Sequence, residues 1–237
     1  MPATGSYVTV FCQPTEAPMG TGFGPLGYYG RESGLAQATQ MACRLLAWST
    51  RVRVQGERLF QRLPDGQLQF AGESFELLEV PEVTPDSCHL DTVEAGPFVW
   101  VIAAPPGVDV PAGAAGFPAE RPAWITNPPS TPGWLYAAGT AKLSYRNEPG
   151  RWEEATYAAL VELALSVGSR AGGMELEAAD VARGAHVVSV DTVLEGFEVA
   201  GRWRDREHAY VLGRVPVSGA VSYLSTGPAQ RPAPPPP

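Results

Sequence analysis

The sequence predicts an α+β protein of two tandem modules, each a single helix packed on a small, mainly antiparallel sheet. Two stretches carry apolar residues at three- and four-residue spacing, the signature of a one-sided helix. Each is followed by a run of short alternating segments rather than a regular β-α alternation, which favours α+β over a parallel doubly wound sheet. At 237 residues the chain is long enough for two cores of about 100 residues each.

Ser6 to Phe11 alternates as a strand, with Tyr7, Thr9 and Phe11 opposite Val8 and Val10, and a glycine-rich loop is expected from Gly20 to Gly30. A helix starting near Leu35 puts Leu35, Ala38, Ala42, Leu45, Leu46 and Ser49 on one stripe, with Gln37, Gln40 and Arg44 facing away. Strands are expected at Leu68 and Phe70, at Phe75 to Val80 and at Phe98 to Ile102, the last bounded by Gly96-Pro97 and Pro105-Pro106-Gly107.

Residues 1–105 form the first module on this reading. Eight prolines between Ala103 and Gly133 exclude regular structure over most of that stretch, so 106–133 reads as a linker, with Trp124-Ile125 docking on the second module. That module spans 134–217, with an entry segment from about 118. A strand at Leu135 to Ala138 precedes a helix from about Arg151 to Ser169, which carries Trp152, Ala155, Ala159, Leu163 and Val167 on one face. Strands come next at Val187 to Val193, Gly196 to Trp203 and Ala209 to Val215, and residues 218–237 form a tail that ends in four prolines.

The modules pair residue by residue: Gly30 with Gly139, Ala38 with Ala155, Ala42 with Ala159, Leu46 with Leu163, Trp100 with Tyr210, Ile102 with Leu212. Their register is not constant. The matching Asp91-Thr92-Val93 and Asp191-Thr192-Val193 conflict with it and read as coincidence.

A net charge of −8, with Lys142 the only lysine, repels phosphate backbones and anionic lipid. Neither nucleic-acid binding nor a direct membrane span is expected, since no apolar run approaches roughly 20 residues. Arg202, Arg204 and Arg206 read as a solvated hairpin loop. Cys12, Cys43 and Cys88 are odd in number, so at most one intramolecular bridge can form. The first residues lack the basic leader and apolar stretch of a secretion signal, which predicts a cytoplasmic chain or one whose signal has been removed.

Several chemistries are expected to be absent. Gly22, Gly24 and Gly27 match the dinucleotide pattern G-x-G-x-x-G, but Pro25 interrupts the turn and no helix opens within it. Cys88 and His89 are adjacent and alternate across a strand, while His186 and His208 stand alone, so no metal site is expected. No nucleophile elbow is present. The reading is of a non-enzyme without cofactors. Trp134, Tyr136, Trp203 and Tyr210, in the opening and closing strands of the second module, are expected to pack in its core or, where they lie on the open face of the sheet, to be the candidate partner-binding residues.

Pro122-Ala123-Trp124-Ile125, Pro128-Pro129 and Tyr136-Ala137-Ala138-Gly139-Thr140-Ala141 resemble the opening of the lipoprotein-20 family of bacterial envelope proteins. Its alanine-rich helix is matched by Ala155 to Leu165. Its closing tryptophan strand, acidic turn and tyrosine strand are matched by Val199 to Asp205 and Tyr210 to Leu212. The resemblance covers about 118–217, and the first half reads as a degenerate copy. It implies a periplasmic or outer-membrane protein without enzymatic chemistry, although Phe11 precedes Cys12 where a lipobox has a small residue. The expected function is therefore that of a structural or adaptor protein of the envelope, acting through a protein partner or self-association. The alternative is a small-ligand-binding protein using the cleft between the modules.

Overall fold

The computed structural model describes residues 8–12, 17–26, 30–108, 112–116, 120–144, 147–170, 176–180 and 185–223. β1 (Val8–Cys12) and β2 (Gly20–Pro25) lead into α1 (Gly30–Thr50). Next come β3 (Val52–Arg62), β4 (Leu68–Leu78), β5 (His89–Ala95) and β6 (Phe98–Ala104). Within the proline-rich stretch, β7 (Ala112–Gly116) pairs with β1. β8 (Trp134–Lys142) precedes α2 (Glu148–Arg170). The chain continues through β9 (Leu176–Asp180), β10 (Ala185–Leu194), β11 (Glu198–Arg204), β12 (His208–Pro216) and β13 (Ala220–Ser222). The molecule is α+β, and among the described residues every strand pairing is antiparallel.

Two three-stranded sheets have the same plan. In the first half the order is β2-β6-β5 with α1 across it; in the second, β11-β12-β8 lies under α2. Glycines fix how closely each helix approaches. A Cβ at Gly22 would lie 2.0 Å from the Ala38 carbonyl oxygen, and one at Gly139 would lie 2.1 Å from that of Ala155. Gly22 pairs with Val101, and Gly139 with Val211. The predicted pairings of Ala38 with Ala155, Trp100 with Tyr210 and Ile102 with Leu212 therefore describe equivalent positions. Gly139 matches Gly22 rather than Gly30. Asp91 lies in β5 and Asp191 in β10, strands with different places in the plan, so their likeness is coincidental.

Gly20–Pro25 is thus a strand where a loop was expected, and α1 opens at Gly30 rather than near Leu35. Alternate glycines present no side chain to the helix, so hydropathy alternation could not reveal the strand. α2 likewise begins at Glu148, ahead of Arg151. β3 was not anticipated, because its Val52 and Val54 follow the helix directly with a single intervening residue.

A third sheet crosses the halves. Its order is β13-β10-β3-β4, with β9 also beside β10, and ten residue pairs from Ala185↔Gln61 to Leu194↔Val52 join β10 to β3. The core is continuous across the same junction. On the face of β2 and β6 turned from the alanine stripe of α1, Phe23, Trp100 and Ile102 join Trp152 of α2. The Phe23 ring lies 4.7 Å from that of Trp100 and 6.1 Å from that of Trp152. Fully buried aromatics of this size contribute up to about 5 kcal/mol each.

Arg202, 4% exposed, reaches from β11 to donate through Nη2 to the Thr21 carbonyl at 3.1 Å. The arginine cluster expected to be one solvated loop is therefore divided. Arg202 is buried at the junction, Arg204 pairs with Glu148 at 2.5 Å, and Arg206 is exposed. The tail beyond Tyr223, Gly27 and Gly172-Gly173 lie outside the described residues.

Candidate functional site

Strand alternation sends odd-numbered residues of β8 and β12 towards α2 and even-numbered ones to the opposite face. Trp134, Tyr136 and Tyr210 take that opposite face, and cross-strand pairing places Trp203 there beside Tyr210. The two rings lie 5.6 Å apart. The Arg214 guanidinium stacks over Trp134 at 4.1 Å, lies opposite Tyr136 and bonds Glu198. Arg121 approaches the Tyr210 ring at 5.7 Å.

All four candidates thus share one face, in two clusters. Trp203 is 9% exposed, and the other three are half-buried. Part of the face is covered from within the chain: the indole of Trp124, in a 3-10 turn at Ala123–Ile125, lies 3.6 Å from where a Gly201 side chain would begin. That is the docking expected for the Trp124-Ile125 segment.

Asp205 closes the β11–β12 turn by accepting from the N–H groups of Glu207 and His208 and from the Tyr210 hydroxyl at 3.0 Å. Burial opposes its ionisation, but these bonds outweigh it and hold the carboxyl below the ordinary range.

The third sheet offers a different kind of surface. On its β10 side, β13 covers one end and β9 the other. On its opposite side, β4 ends the sheet, and among the described residues no strand pairs with its outer edge. Eleven residues long, that edge presents a row of backbone donors and acceptors able to template another strand. Leu68 and Phe70 are 48% and 56% exposed. The Phe60 ring meets Phe70 edge-on at 6.5 Å.

The inner end of β4 is held firmly. The Tyr157 hydroxyl of α2 donates to the Phe75 carbonyl at 2.8 Å, and Arg58 bridges Glu73 and Glu162 at 2.8 and 2.6 Å. Burial first, then the charges of Glu73 and Glu76, raises the Tyr157 pKa and keeps its proton available to donate.

Sequence reasoning marked Leu68 and Phe70 only as strand residues. The Asp65-Gly66 turn after an alternating run was the local hairpin signal, but nothing local shows that β4 would end the sheet.

Gly22 and Gly24 lie within β2, bonded to β6 through Val101 and Val99. Their lack of side chains serves helix contact, which gives the dinucleotide-like spacing a packing role. Among the described residues no group of three His, Cys, Asp or Glu side chains is placed to hold a metal ion. Among them, too, no helix is long and apolar enough to cross a membrane.

A groove of about 710 Å³ runs along α1 beside residues 80–85, with Leu35, Thr39, Cys43, Val80, Val83 and Pro85 among its walls. These residues belong to the first half alone. Fold and surface together define a helix-on-sheet α+β protein with an open edge strand. No family model, curated protein or solved structure matches the chain.

Proposed function

We propose that this chain is a non-catalytic adaptor of the bacterial cell envelope that recruits a partner protein by adding a strand to β4. The open, eleven-residue edge of β4 carries this reading, with Leu68 and Phe70 exposed at its outer end. In strand addition, main-chain hydrogen bonds supply affinity and alternate side chains supply specificity. The partner strand would place apolar residues against Leu68 and Phe70 and a basic residue near the exposed Glu76. Envelope location comes from the lipoprotein-20 resemblance of residues 118–217.

Small-ligand binding between the modules receives less support from the geometry, because Phe23, Trp100 and Trp152 fill part of the space where the halves meet.

Photo-crosslinking in the native cell, followed by fractionation, tests the proposal. A crosslinking residue at position 70 should give a discrete adduct in the envelope fraction, and one at the exposed Ser218 should not. Failure to form an adduct at position 70 would remove the edge-strand reading. An adduct confined to the cytosol would keep it and remove the envelope.

A further inference from the structure

Cys43 of α1 and Cys88, immediately before β5, are 45 positions apart in the chain, yet their Sγ atoms lie 3.9 Å apart. Cys43 is buried on the helix and forms part of the groove wall. Cys88 is half-buried, has extended backbone at the end of the 3-10 turn Pro85–Ser87, and directs its thiol at the Thr84 carbonyl, 3.4 Å away. Between β4 and Cys88 the chain forms a strap over α1. One end of the strap is anchored where Glu79 bonds Arg51 and Arg53, at 2.9 and 3.0 Å.

We infer that Cys43 and Cys88 close a reversible disulfide that ties the 80–88 strap to α1 and fixes the wall of the groove. A disulfide needs an S–S distance of about 2 Å, so the sulfurs must approach by roughly that amount again. Cys88 gives up its contact with the Thr84 carbonyl to make that approach.

The oxidant is a disulfide, from a small molecule or a protein. Cys88 thiolate attacks one of its sulfurs, the S–S bond breaks, and the second sulfur leaves as thiolate. Cys43 thiolate then attacks Cys88 Sγ in the mixed disulfide and displaces the first sulfur. Two protein thiols lose two protons and two electrons, and the oxidant is reduced to two thiols. Burial, followed by the charge of Cys88, pushes the Cys43 thiol up to about 11. The half-buried Cys88 is the thiol an incoming disulfide can reach, so the first attack falls to Cys88 and the resolving step to the buried Cys43.

The inference is independent of strand addition at β4 and is tested on the full chain, reduced with dithiothreitol or oxidised with glutathione disulfide. After oxidation, denaturation and alkylation, one of the three thiols should remain reactive, and mass spectrometry should find the Cys43 and Cys88 peptides joined. Closing a loop of this length should raise Tm on the order of 10 °C over the reduced protein and slow amide exchange across 80–88. Cys88→Ser should abolish the redox-dependent shift while keeping the reduced protein's Tm. The inference is overturned if all three thiols stay reactive, if the joined peptide contains Cys12, or if the strap exchanges equally fast in both states.

Discussion

Gly22 of β2 and Gly139 of β8 occupy the same place in the two halves, each lying against the backbone of a helix at alanines four positions apart, Ala38 and Ala42 or Ala155 and Ala159. Both approaches are too close for any side chain. Gly22→Ala and Gly139→Ala should each destabilise by about 3 kcal/mol, because helix and sheet must separate. Gly66→Ala, in a turn with φ +85° and open space around it, should cost only about 1 kcal/mol. Chemical denaturation of the three variants checks the order. Equal losses would show that the helix contact is not what requires glycine.

Arg202 connects the two halves through the Thr21 carbonyl from a buried position. Arg202→Ala should cost about 3 kcal/mol, since it removes the side chain's packing and leaves a backbone acceptor without this donor. Arg206→Ala, on the exposed part of the same arginine cluster, should change stability by less than about 0.5 kcal/mol. Thermal unfolding of the pair distinguishes a junction anchor from general surface charge.

Asp205 predicts part of the acid response. Its folded-state pKa is depressed, so its stabilisation is present above the unfolded value of about 3.9 and is lost as pH falls through the lower folded value. Urea midpoints of the wild type should therefore fall more steeply below about pH 4 than those of Asp205→Asn. Parallel curves would mean that the turn bonds add nothing to the ionised form.

Leu68 and Phe70 separate binding from folding. Because both are exposed on β4, replacing them with lysine should leave stability within about 0.5 kcal/mol. The same change should abolish an adduct formed from a crosslinker at the neighbouring Gln69. An undiminished adduct would exclude these side chains from the contact.

Much of the repeat is legible in the sequence. Ala38, Ala42, Ala155 and Ala159 announced two closely packed helices, and Trp100, Ile102, Tyr210 and Leu212 marked equivalent closing strands. β2 was hidden because Gly20, Gly22 and Gly24 have no hydropathy to alternate, so the strand read as a loop. The four aromatic candidates were correctly grouped by strand. That Trp124 covers part of their face was not legible, because it reaches that face from a segment about 80 residues away in sequence from Trp203.

By itself the sequence determined which segments are helices, which face of each is apolar, and that the halves share a plan, since periodicity and residue size are local properties. Tertiary structure alone decided that β3 pairs with β10 across the halves, that β4 is left at an edge, and that Cys43 meets Cys88. Every strand offers the same backbone donors and acceptors, so strand partners are selected by how the helices and the shared core bring those strands together.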